Sequence, residues 1–121
     1  INIINIDDVH GRIIAEEVKN RKVTLLTYGI DNKADIMARN IYMDDKGVKF
    51  TLVTPKYEIE ITNSIPGKFS IYNCLAAAAA AYVEGIDKSI IQSGLRGQKS
   101  VPGRSEVLSI DLPYTVVIDY A

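Results

Sequence analysis

A glycine–lysine pair that could bind phosphate lies in the sequence Gly-Lys-Phe-Ser at residues 67–70. A phosphate loop requires Gly-x-x-x-x-Gly-Lys-Ser/Thr, so that consecutive backbone amides surround the phosphates. Here Thr62 occupies the position of the first glycine and Phe69 occupies the position of the hydroxyl residue. The segment is therefore rejected as a phosphate loop, and Lys68 is predicted to be a solvated surface lysine.

Cysteine and histidine, which often serve as nucleophiles and metal ligands, occur once each, as Cys74 and His10. A single cysteine excludes an intrachain disulfide and a zinc site built on cysteines. Cys74 lies in an apolar stretch and is predicted to be a small buried hydrophobic residue. A lone thiol is typical of a reducing compartment, which favours the cytoplasm. His10 is assigned no role.

The composition is ordinary for a soluble globular domain, with 121 residues, 47% hydrophobic residues and a formal net charge of -1. Acidic and basic residues are mixed along the chain, so the sequence predicts neither a basic face for nucleic acid nor a polybasic membrane patch. No apolar run reaches the ~20 residues of a membrane helix. Nucleic acids and membranes are therefore not expected partners.

The first elements alternate between strand and helix. Residues 1–6 are apolar and β-branched, which predicts a buried, parallel strand. Asp7 or Asp8 then caps a helix, because carboxylates accept hydrogen bonds from the amides of a first helical turn. A second strand is predicted at residues 23–28, and its glycine neighbour ends it.

An antiparallel meander is predicted next, because three apolar–polar alternations follow one another with turn residues between them. In its first strand, over residues 34–43, Met37, Ile41 and Met43 are predicted to share one face. The other two strands lie within residues 48–52 and 57–61. The meander is expected to keep one face exposed to water.

Two helices and a pair of short strands complete the predicted α/β architecture. Ser70 is predicted to cap a helix over residues 71–83, whose six consecutive alanines would let it lie close to a sheet. Asp87 begins another helix, with Ile90 in its buried stripe. The remaining predictions are a polar linker and two β-like runs, at residues 98–102, 106–110 and 115–119.

Both ends of the chain are apolar, whereas natural termini are usually polar. The sequence therefore predicts that both ends are cuts through buried strands and that the chain is an internal fragment. Exposed strand edges pair readily with a neighbouring chain, so we expect that the fragment could form a dimer or a strand swap.

Four stretches of the sequence are informative when they are taken together. They are Asn-Ile-Asp-Asp at 5–8, Gly-Lys-Phe-Ser-Ile-Tyr-Asn-Cys-Leu-Ala-Ala at 67–77, Gly-Arg-Ser-Glu at 103–106 and Val-Ile-Asp-Tyr-Ala at 117–121. In their order and spacing they resemble the Mur ligases, ATP-dependent enzymes that form amide bonds in cell-wall synthesis. The branch that the chain resembles best is the UDP-N-acetylmuramoyl-tripeptide synthetases, which add the third residue of the peptidoglycan stem peptide. The resemblance covers nearly the whole chain.

The resemblance implies a domain division and a reaction. Residues 1–100 would be the rear half of the central ATP-binding domain, with parallel strands, a small antiparallel sheet and helices, and residues 101–121 would begin the C-terminal ligase domain. The parent enzyme would use ATP and Mg²⁺ to convert UDP-N-acetylmuramoyl-L-alanyl-D-glutamate into an acyl phosphate, which diaminopimelate or lysine then attacks. The family's phosphate loop and metal ligands would precede residue 1, so the fragment alone is expected to be inactive.

Three residues match nucleotide-binding positions of the family. Asn73 resembles the asparagine that contacts adenine, and a carboxamide can donate and accept hydrogen bonds side by side. Arg104 resembles the arginine that reaches the phosphates, where a guanidinium can hold two oxygens at once. Asp119 resembles the aspartate that accepts from the ribose hydroxyls. Local alternatives are a helix cap for Asn73, a surface ion pair of Arg104 with Glu106, and a strand-end cap for Asp119.

Two other interpretations fit the sequence. The chain could come from a different member of the superfamily, such as folylpolyglutamate synthetase or the muramate–alanine ligase, or it could be a non-catalytic α/β interaction module. The roles of Asp7 and Asp8 also stay open. The resemblance implies that these positions lie at the edge of the nucleotide site, while helix capping explains at least one of the two residues equally well.

Overall fold

The computed structural model describes residues 1–99, 103, 106–108, 113–114 and 116–120. Strands and helices alternate in the first part of this chain and two strands close it, which confirms the predicted α/β class. The elements are β1 (Asn2–Asn5), α1 (Val9–Lys19), β2 (Leu25–Gly29), β3 (Ile36–Asp44), β4 (Gly47–Val53), β5 (Glu58–Asn63), α2 (Lys68–Val83), α3 (Lys88–Gly97), β6 (Glu106–Leu108) and β7 (Val116–Ile118).

The first five strands form one mixed sheet in the order β1-β2-β3-β4-β5. β1, β2 and β3 are parallel, and β3, β4 and β5 form the predicted antiparallel meander. The antiparallel strands therefore continue the parallel part instead of forming a separate sheet. Because β1 and β2 run in the same direction, the residues that follow them emerge at one edge of the sheet.

The core lies between this sheet and the helices α2 and α3. Phe50, Leu52 and Ile61 of the meander are fully buried, and Cys74 and Leu75 of α2 belong to the same cluster. Ala78 and Ala79 are also buried there, and such small side chains let a helix lie close to a sheet, as the alanine run predicted. Cys74 is buried, as predicted for a small hydrophobic residue, and burial raises the pKa of its thiol to about 11.

A bulge in β3 overturns the predicted face of that strand. The register with β4 shifts between Arg39 and Tyr42, and Asn40 has a positive φ of 52°. A bulge changes which side chains point inward, because one extra residue reverses the alternation of the strand. Before the bulge Ile36 and Ala38 are the buried residues of β3, and after it Ile41 packs half-buried against the core while Met43 is exposed.

Two helix starts follow the predicted capping residues and one does not. Asp8 accepts a hydrogen bond from the backbone N–H of Gly11, and Asp87 does the same from that of Ser89. The prediction for Ser70 is wrong: α2 begins at Lys68 after Gly67, whose φ is 98°, and the Ser70 hydroxyl donates to the carbonyl of Pro66. A left-handed glycine makes this early start accessible.

The strands at the two ends are less buried than predicted. β1 has a neighbour on one side only within the described sheet, and its residues are half-buried. β6 and β7 form a two-stranded antiparallel hairpin in which Val117 is 52% exposed. In α3, Ile90 is 60% exposed and does not join the buried stripe. No helix within the described residues is long and apolar enough to cross a membrane.

Candidate functional site

Polar side chains from three distant segments converge where β1 and β2 end. Asp7 follows β1, Asp31 and Asn32 follow β2, and Lys68 and Tyr72 belong to the first turns of α2. We call these five residues the carboxyl-edge cluster. In sheets with parallel strands, this edge is the usual place for ligands, because the loops that emerge there are free to vary.

The carboxylate of Asp7 is the centre of the cluster and accepts five hydrogen bonds. Its Oδ2 accepts from the backbone N–H groups of Ile30 and Asp31, at 2.5 and 3.0 Å, and from the Tyr72 hydroxyl at 2.9 Å. Its Oδ1 accepts from the backbone N–H and the side-chain amide of Asn32, both at 2.8 Å. One side chain therefore joins β1, the loop after β2 and α2.

The Asn-Ile-Asp-Asp sequence explains how the chain places this carboxylate. The Asn5 side chain accepts from the backbone N–H of Asp7, which forms a turn at the end of β1. Asp8 caps α1, so the capping function belongs to Asp8 and leaves Asp7 free to face the loop after β2. The absence of a side chain at Gly29 leaves space for the Asp7 carboxylate, because a Cβ at Gly29 would lie 3.0 Å from Asp7 Oδ1.

The hydrogen bonds fix the charge state of this pair. Burial alone raises the pKa of Asp7, but the donors on Ile30, Asp31 and Asn32 outweigh it and hold the pKa well below its usual range. Burial and the bond to the Asp7 carboxylate raise the pKa of Tyr72 to about 12. The arrangement is therefore an ionised carboxylate that accepts from a neutral phenol.

The depressed pKa of Asp7 predicts that the chain loses stability in acid. In the unfolded state the carboxyl group has a pKa of about 4, so as the pH falls the unfolded state binds a proton before the folded state does. The stabilisation that the Asp7 carboxylate gives to the folded state is therefore present above about pH 4 and is lost as the pH falls below it. Asp7→Asn should lower the free energy of unfolding by about 2 kcal/mol at pH 7, because hydrogen bonds to a charged group are lost.

Urea denaturation between pH 3 and 7 tests this expectation. The difference in the free energy of unfolding between the natural chain and the Asp7→Asn variant should become smaller as the pH falls below about 4. A difference that stays constant over this range would mean that the Asp7 charge contributes nothing to stability.

Lys68 has a more defined environment than the predicted solvated lysine. Its ammonium lies 2.9 Å from a carboxylate oxygen of Asp31 and 5.9 Å from the centre of the Tyr72 ring. Both partners of the ion pair are exposed, so the pair contributes little to stability. It does, however, connect the start of α2 to the loop after β2.

The structure describes two of the three predicted nucleotide-binding residues. Asn73 is exposed on α2, directly after Tyr72, and Asp119 is exposed directly after β7. Arg104 lies outside the described residues. The convergence of these three residues on one nucleotide therefore stays a prediction.

Sequence reasoning missed Tyr72, Asp31 and Asn32 as partners of Asp7. The one available signal was the second aspartate of Asn-Ile-Asp-Asp, since a helix needs only one cap. Among the described residues, no group of three or more His, Cys, Asp or Glu side chains could hold a metal ion. The contacts within the carboxyl-edge cluster are hydrogen bonds and one ion pair.

Comparisons with known proteins agree with this fold. Residues 1–81 match the Mur ligase middle domain. The UDP-N-acetylmuramoyl-L-alanyl-D-glutamate--2,6-diaminopimelate ligase of Clostridioides difficile (strain 630) is 49% identical over 120 residues, which are 99% of this chain and 25% of that protein. The chain thus spans about a quarter of the length of the curated relatives that it matches.

Solved structures show the same architecture. A UDP-N-acetylmuramoyl-L-alanyl-D-glutamate--2,6-diaminopimelate ligase has a TM-score of 0.82 at 28% identity, covering 98% of this chain and 25% of its own. The MurF ligase from Thermotoga maritima in complex with ADP has a TM-score of 0.69 at 19% identity, covering 90% of this chain and 24% of its own, and shares the fold alone. By its sequence and its fold, the chain belongs to the Mur ligase family.

Proposed function

We propose that this chain is part of a longer cytoplasmic ligase that adds diaminopimelate to UDP-N-acetylmuramoyl-L-alanyl-D-glutamate. Residues 1–100 would form the rear half of the ATP-binding middle domain, and residues 101–121 would begin the C-terminal domain. The observation that carries the proposal is the 49% identity, over 99% of this chain, to a ligase named for this reaction. That name also favours diaminopimelate over lysine.

The proposed contribution of this chain is to bind the nucleotide. Asn73 would contact adenine: its side chain is exposed on α2 beside the carboxyl-edge cluster, and it forms no hydrogen bond with the other described residues. Asp119 would accept from the ribose hydroxyls, and Arg104 would neutralise the phosphates. The ADP bound to the Thermotoga maritima MurF ligase supports a nucleotide site in this fold.

The chemistry requires a carboxylate to be activated before an amine can attack it. The substrate carboxylate attacks the γ-phosphoryl group of ATP and releases ADP, and the amine of diaminopimelate then displaces phosphate from the acyl phosphate. Mg²⁺ would neutralise charge on the phosphates. The proposed role of this chain is to hold and orient ATP.

The full-length protein provides the test. It should release phosphate from ATP when UDP-N-acetylmuramoyl-L-alanyl-D-glutamate and diaminopimelate are both present. Asn73→Ala should raise the KM for ATP about tenfold or more, because a bidentate contact to adenine contributes about 1–3 kcal/mol. The KM for the UDP-linked substrate should not change.

Asn20→Ala is the matched control, since Asn20 is an exposed asparagine at the end of α1. It should leave both KM values unchanged. Activity with lysine alone, or with free UDP-N-acetylmuramate and alanine, would assign another branch of the family. A full-length protein with no ATP-dependent ligation at all would favour the interaction module and contradict the proposal.

A further inference from the structure

We infer that Asp7 and Tyr72 form a positioning pair that sets the orientation of α2, so that Asn73 meets the adenine of ATP. This inference rests on the proposed nucleotide site and adds two residues to it. Neither residue would touch the nucleotide. They would act through the helix that carries Asn73.

The Asp7 carboxylate has no remaining capacity for a ligand. A carboxylate offers about four lone-pair sites, and Asp7 already accepts five hydrogen bonds from within the chain. A residue saturated in this way is suited to holding structure and not to binding substrate. The donors to the Asp7 carboxylate show which segments of the chain it holds together.

The Asp7 carboxylate joins segments that are far apart in the sequence. Tyr72 is 65 residues from Asp7, and its hydroxyl is the donor from α2 to this carboxylate. The other donors belong to the loop after β2. The carboxylate therefore fixes α2 relative to both the end of β1 and the loop after β2.

Two contacts on one face of α2 bear on the rotation of the helix. Lys68 and Tyr72 are four residues apart, so they lie on one face of α2 in successive turns. The Lys68 ammonium donates to Asp31 and the Tyr72 hydroxyl donates to Asp7. Two such contacts along one face restrict both the translation of the helix along its axis and its rotation about that axis. Asn73 follows Tyr72 directly, so its direction depends on the same contacts.

A positioning role has a consequence that a purely structural role does not have. A bidentate contact loses strength when it is displaced by a fraction of an ångström, because both hydrogen bonds need good geometry. Loosening α2 should therefore weaken ATP binding selectively. A merely structural pair would affect stability and leave the KM for ATP unchanged.

Tyr72→Phe in the full-length ligase tests the inference, because it removes the hydroxyl and keeps the ring. The KM for ATP should rise about fivefold, the magnitude expected for one lost hydrogen bond, while the KM for the UDP-linked substrate and kcat stay close to their natural values. In an Asn73→Ala background, Tyr72→Phe should have no further effect, since the pair acts through Asn73.

Asp87→Asn is the control, because this carboxylate also accepts helix-capping bonds but lies at the start of α3. It should leave the KM for ATP unchanged. Hydrogen exchange without nucleotide gives a second readout: amides at residues 30–32 and in the first turns of α2 should exchange faster in Tyr72→Phe.

The outcomes separate this inference from the proposed function. If the natural protein ligates with ATP but Tyr72→Phe leaves the KM for ATP within twofold, or adds its full effect to Asn73→Ala, the positioning role is overturned and the proposed function stands. If the natural protein shows no ATP-dependent activity, the proposed function fails. Faster exchange would then leave Asp7 and Tyr72 as a helix tie with no nucleotide role, which also overturns the inference.

Discussion

Replacing Phe50 by alanine should lower the free energy of unfolding of the chain by about 3–5 kcal/mol, which is the range for removing a buried phenylalanine. Phe50 is fully buried in β4, where it pairs with Ile61 of β5. It lies in the core cluster that α2 covers. Truncation would remove apolar contacts and leave a cavity that a close-packed sheet and helix cannot fill.

Urea denaturation measures this loss, and the second phenylalanine of the chain provides the control. Phe69 is 46% exposed at the start of α2, so Phe69→Ala should lower the free energy of unfolding by about 1 kcal/mol or less. Similar losses for the two variants would contradict the placement of Phe50 in the buried core and of Phe69 at the surface.

Gly11→Ala should destabilise the chain by about 2–3 kcal/mol, although alanine is normally the better helix residue. A Cβ on Gly11 would lie 1.8 Å from the backbone oxygen of Asn5. Because that neighbour is main chain, the clash can be relieved only by moving α1 away from the end of β1. The movement would also disturb Asp7, which lies between Asn5 and Gly11.

Gly94→Ala is the matched control and should have the opposite sign. Gly94 is an exposed glycine within α3, and a Cβ there would meet nothing within 4 Å. The free energy of unfolding of this variant should therefore be higher by about 0.5–1 kcal/mol. A Gly11→Ala variant that is stabilised as much as Gly94→Ala would show that α1 does not need its close approach to β1.

Much of the fold could be predicted because local patterns determine it. The alternation around Phe50 identified β4, and Asp8 and Asp87 marked two helix starts by the chemistry of their side chains. The bulge at Asn40 could not be predicted, because a single left-handed residue leaves no trace in the apolar pattern. The early start of α2 depended in the same way on the conformation of Gly67.

The candidate site was less predictable, because its central contact is not local. Asp7 and Tyr72 are 65 residues apart, and nothing in the sequence between them indicates that they meet. Asn73 was identified by family resemblance and is exposed on α2, and its contact with adenine stays a prediction. The roles of Arg104 and Asp119 rest on resemblance and stay predictions.

A crystal structure of the full-length protein with ADP tests the central claim most directly. The account predicts that the adenine lies within hydrogen-bond distance of the Asn73 carboxamide and that the Tyr72 hydroxyl still donates to Asp7. An adenine bound elsewhere, with Asn73 facing solvent, would contradict it.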